Sequence, residues 1–181
     1  MLAACGGGDD VSKTIKDVPT QPGQAGTATE TVLTAAGLLP TLDDLGFKMG
    51  SPQKIPTTNG DAVAVQYASQ GTGITGIRID LTVLPTADQA RSSMNAAAGA
   101  IPNPPPGTDI PGPNTAATRP GPGDDGQSFV TQRPDQNGTL VWTDLYRFGR
   151  VFAIVYSQGK DVPNAMATRK AVAERIGAKV K

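Results

Sequence analysis

Residues 74–84 alternate with period two: Ile77, Ile79, Leu81 and Val83 fall on one side, and Arg78, Asp80 and Thr82 on the other. Only an extended strand places every second side chain on one face, so this run predicts a strand with one apolar and one polar face. Residues 61–69 repeat the pattern, with Val63, Val65 and Tyr67 set against Ala64, Gln66 and Ala68. The glycine-containing stretch 70–73 is short enough to close a hairpin, which makes the two runs antiparallel neighbours. A core that begins this way needs cover for the apolar face of a sheet.

The rest of the chain supplies that cover. Pro85 stops the strand, and Thr86 with Gln89 forms a capping box for a helix to about Ala98, with Ala87, Ala90, Met94 and Ala97 on one face. Three more strands are predicted at about 127–133, 139–148 and 150–157, with turns at Asn137-Gly138 and Gly149. A final helix follows, capped by Asp161, with Val162, Ala165, Met166, Val172, Ala173 and Ile176 on one side and Gly177 placed to end it. Thr27 to Glu30 form another capping box, which predicts a short entry helix through Val32, Leu33 and Ala36. Leu38, Leu39, Leu42, Leu45 and Phe47 then continue as an apolar segment broken by Pro40. The expected fold is α+β: an antiparallel sheet of about five strands with helices packed on one face.

Glycine and proline mark what stays outside this core. The chain has 22 Gly and 16 Pro among 181 residues, concentrated near the N-terminus and between the second helix and the last three strands. Residues 1–28 therefore read as a leader remnant and flexible linker, and 29–181 as one α+β domain carrying a proline-rich loop over 100–126. Such a loop can dock on an aromatic groove or cover a sheet edge.

Cys5, the single cysteine, can form no disulfide within the chain. The run Leu2-Ala3-Ala4-Cys5-Gly6 resembles the lipobox of bacterial lipoproteins, in which small residues precede an obligatory Cys. That resemblance implies thioether lipidation of Cys5, anchoring by at least two acyl chains, and a cell-membrane location on the extracytoplasmic face. A complete signal also carries a basic segment and an apolar run upstream, so the resemblance implies that the segment before Cys5 is truncated. Residues 38–47, Leu-Leu-Pro-Thr-Leu-Asp-Asp-Leu-Gly-Phe, and Tyr146 to Val151, with the order of strands and helices, resemble small extracytoplasmic lipoprotein domains. Those include the Mog1/PsbP-like lipoproteins and the sensor domains of receptor kinases. No functional residue is carried over from them.

Composition narrows the chemistry. Sixteen basic residues balance sixteen acidic ones, which argues against nucleic acid as a partner. With no His, neither a Ser-His-Asp nor a Cys-His site can exist. Asp124-Asp125-Gly126 lacks the further oxygen ligands that calcium needs, so neither metal nor cofactor is expected.

A possible binding surface is Trp142, Tyr146 and Tyr156 with the cations Arg147 and Arg150, to which Arg133 could add; the aromatics fit a main core as readily as a groove. The leading expectation is a lipid-anchored, non-catalytic binding or accessory protein whose partner is an envelope protein or a small molecule. The alternatives are a hydrolase working through Asp80 or Asp144, and a structural envelope protein.

Overall fold

The computed structural model describes residues 32–69, 73–101, 114–118, 123–130, 138–160 and 162–181. Cys5, the capping box at Thr27 to Glu30, Arg133, Asn137, Asp161 and most of the proline-rich stretch lie outside the described residues.

The alternating runs become β3 (Asp61–Ser69) and β4 (Ile74–Val83), paired antiparallel with Val65 opposite Ile79 and Gln66 opposite Arg78. Two short strands, β1 (Phe47–Met49) and β2 (Gln53–Lys54), line the outer edge of β3. After the first helix, β5 (Asn114–Thr118), β6 (Asp125–Val130), β7 (Leu140–Phe148) and β8 (Val151–Gly159) form an antiparallel meander. β8 then pairs with β4, Val155 opposite Ile79, and fuses hairpin and meander into one sheet. Its order is β1, β3, β4, β8, β7, β6, β5, with β2 also on β3.

Among the described residues the sheet thus has eight strands, not about five. β1, β2 and β5 are the additions, at 3, 2 and 5 residues too short for period two to stand out. β5 lies inside the stretch read as a loop.

The helices also correct the expectation, because α1 (Ala87–Ala100) and α2 (Val162–Val180) pack on opposite faces. On the α2 face, Val65, Tyr67, Ile79, Leu81, Trp142, Tyr146, Val151 and Val155 meet Val172, Ala173 and Ile176. On the other face, Leu84, Phe129, Leu145 and Phe152 meet Ala90 and Met94 in a smaller cluster. Burying a Met or Leu in this way contributes about 1.5–3 kcal/mol. The sequence signal for two covered faces was the unbroken apolar run from Val151 to Val155, which is the mark of a strand buried on both sides.

Local signals fared unevenly. Thr86 caps α1 by accepting from the Gln89 backbone N–H at 3.2 Å, as its position predicts, but Ala87 is exposed. In α2 Met166 is 61% exposed, and the helix runs past Gly177 to Val180. Gly177 serves close packing: a Cβ there would stand 2.8 Å from the Phe148 ring.

No entry helix reaches residues 32–34, and single 3-10 turns form at Ala36–Leu38 and Asp43–Leu45. Leu38, Leu39 and Leu42 are nonetheless buried on the α2 face. Polar bonds hold this segment in place: the Tyr67 hydroxyl donates to Pro40 O at 2.8 Å, and Lys179 Nζ donates to Leu39 O at 2.6 Å. Arg175 reaches Thr41 O and Asp44 Oδ1, both at 2.7 Å.

Candidate functional site

The residues singled out from sequence do not form one surface. Strand register places Trp142, Asp144, Tyr146 and Phe148 on the α2 face, where Trp142 and Tyr146 are 3% and 2% exposed and belong to the core. Tyr156 projects from the opposite face, opposite Thr143 and Arg78. The aromatic groove is therefore corrected: one inversion of strand parity separates Tyr156 from the other two, since Trp142 pairs with Ser157. Burial also raises the Tyr146 phenol above its ordinary pKa, with the nearby Asp144 charge adding to the effect.

The two cations part as well. Arg147 is buried and braces the β7–β8 turn, with Nη1 3.1 Å from Asp124 Oδ2 and 3.4 Å from Gly149 O. Asp124 Oδ2 also accepts from Gly149 N at 2.5 Å. That carboxylate is thereby committed to turn geometry. Arg150 is exposed on the far side of Gly149.

Asp144 is fully buried and held by a residue that sequence reasoning missed, Arg169 of α2. Arg169 Nε donates to Asp144 Oδ2 at 2.5 Å, Nη2 donates to Oδ1, and Ser128 Oγ also donates to Oδ1. The guanidinium lies over the Trp142 ring, 5.7 Å from its centroid. Asp80 has its own arginine on the opposite face: Arg78 Nε and Nη2 bind its two oxygens at 2.7 and 3.0 Å. The sheet thus places Asp80 and Asp144 on opposite faces, each paired with its own arginine.

Among the described residues, what remains open is the half of the α1 face that α1 does not cover. Across β3, β4, β8 and β7 the register sets Gln66, Arg78, Tyr156 and Thr143 in one row, beside a row of Ala68, Gly76, Gln158 and Val141. Ala68 and Gly76 are small, so a cleft of about 610 Å³ opens between the Arg78 row and Lys48 and Met49 of the edge strand. Ala64 leaves a second hollow of about 280 Å³ on the other side of Arg78.

Arg78 sits over the Tyr156 ring, 5.8 Å from its centroid. Burial raises the Tyr156 pKa and the Asp80 charge adds to it, while Arg78 opposes both. The phenol therefore remains a neutral donor and acceptor at neutral pH. The sequence clue to this site was an Arg and an Asp two positions apart on the polar face of β4.

No family model matches the chain, and no curated protein matches it. Among solved structures, it is similar to the extracellular domain of PknH from Mycobacterium tuberculosis, with a TM-score of 0.58 at 13% identity. The match covers 81% of this chain and 94% of that one. At that identity the likeness is one of fold. Among the described residues, no helix is long and apolar enough to cross a membrane.

Proposed function

We propose that this chain is a non-catalytic binding protein, held by lipid on Cys5 at the extracytoplasmic face of a bacterial cell membrane. The observation that carries the binding reading is the cleft of about 610 Å³ on the uncovered half of the sheet, a concave surface with convergent polar groups. The location is supported by the Leu2-Ala3-Ala4-Cys5 run and the glycines after it, and by a fold shared with an extracellular domain. The non-catalytic reading draws on the lack of His and on carboxylates already engaged: Asp44, Asp80, Asp124 and Asp144 each face an arginine.

The anchor is tested by expressing the chain in a bacterium behind a complete secretion signal ending at Ala4, with an alkyne fatty-acid analogue in the medium. Wild type is expected to take up the label and to sediment with membranes. Cys5→Ala should lose the label and become soluble. A Cys5→Ala chain that stays membrane-bound without detergent overturns the anchor.

A further inference from the structure

We infer that the open half of the α1 face binds a neutral saccharide, which lies across Gln66, Arg78 and Tyr156 with its carbon face toward Ala68 and Val141. This rests on the binding reading above and names its ligand class. Three features of the cleft point the same way.

The first is charge. Arg78 and Asp80 neutralise each other through two hydrogen bonds of 2.7 and 3.0 Å. A cationic ligand would have to displace Arg78 from a bidentate pair, and an anionic one that reached the free N–H groups of Arg78 would stand against the Asp80 charge. Lys48 is the one other charged residue among the described lining, and it is exposed to solvent, which screens it. The site therefore has little preference for charged ligands.

The second is hydrogen-bond character. The carboxamides of Gln66 and Gln158 and the Tyr156 phenol each offer both a donor and an acceptor. Arg78 adds the N–H groups that Asp80 leaves free, in a plane that Asp80 holds fixed. A row of groups that both donate and accept suits vicinal hydroxyls, which do the same. Ala68 and Val141 supply apolar surface between them, and a sugar ring presents that same combination of C–H face and hydroxyl edge.

The third concerns the backbone. β3, β4 and β8 are paired on both sides, so the floor has no row of unpaired N–H and C=O groups. An extended peptide lying on that floor has no strand edge to pair with. Recognition must run through side chains.

The test is calorimetric titration of the full chain with chitotriose, maltotetraose, cellotetraose and mannotriose, at about 0.02 and 0.5 M salt. At least one is expected to bind, with affinity changing less than about twofold between the two salts, since a neutral ligand has no charge to screen. Gln66→Ala should weaken that sugar about tenfold, the equivalent of about 1.4 kcal/mol. Ala68→Met, which fills the hollow from an exposed position without removing a core contact, should weaken it at least as much while the melting curve stays that of wild type.

Sugar binding that Ala68→Met leaves intact, or that collapses with salt, overturns the inference. A thermal-shift screen of peptides and non-saccharide small molecules separates the two levels. A hit of another class that Ala68→Met abolishes keeps the binding reading and overturns the saccharide. No hit of any class overturns both.

Discussion

Two arginine–aspartate pairs stand on opposite faces of one sheet and are built from the same parts. Arg169 grips Asp144 through Nε and Nη2, one edge of its guanidinium, and lies over Trp142; Arg78 grips Asp80 in the same manner and lies over Tyr156. They differ in what covers them. α2 closes over the first pair, leaving side-chain exposures of 12% for Arg169 and none for Asp144, whereas Arg78 retains 48%. Taken out of water, an ion pair acts as a fastener between helix and sheet, and removing one partner strands a charge. Left at the surface, the same pair contributes little to stability and stays available to a ligand.

The largest effect that could break this comparison is at Asp144. Asp144→Ala should lower the unfolding free energy by about 3–5 kcal/mol in urea denaturation, because Arg169 is left buried without its counter-charge. The double variant Asp144→Leu with Arg169→Met should recover most of that loss, since volume is kept and no charge is stranded. If the double variant is as unstable as the single one, the pair is more than a fastener. At the open face, Asp80→Asn should change stability by less than about 1 kcal/mol. A larger loss would mean that the two faces are energetically alike.

The smallest effect lies at the exposed pair of Asp44 and Arg175, and it appears as pH dependence. The hydrogen bonds from Arg175 hold the Asp44 pKa below its ordinary 3.8. A lowered folded-state pKa stabilises the native state above 3.8 and ceases to do so as pH falls through the folded value. The stability difference between wild type and Asp44→Asn should therefore be constant near neutrality and shrink in acid. A difference that grows in acid would reverse the assigned sign.

Much of the covered face was legible in the sequence, because alternation in β3 and β4 is a local property that needs no partner to be read. Val65, Ile79 and Leu81 are buried where their parity put them. The open site was less legible: Gln66, Arg78 and Tyr156 come from three strands, and 90 residues separate the first from the last by their numbers. Their row depends on β8 pairing with β4, which no local pattern encodes. Parity within β8 did place Tyr156 with Phe152 and Ile154, but only the register against β7 shows that this face is turned away from Trp142. Arg169 was passed over because an arginine on a helix looks the same in sequence whether it faces solvent or a buried carboxylate.

By itself the sequence determined the two-faced strands, the capped start of α1 and the exclusion of histidine chemistry, since each depends on residue type and near spacing. Only the tertiary structure decided, among the described residues, how many strands join the sheet, that α1 and α2 take opposite faces, and that one half-face stays open. These depend on which distant apolar surfaces meet. Burial is non-directional and roughly proportional to area, so the pattern along a strand says that a face needs cover without saying which helix will supply it.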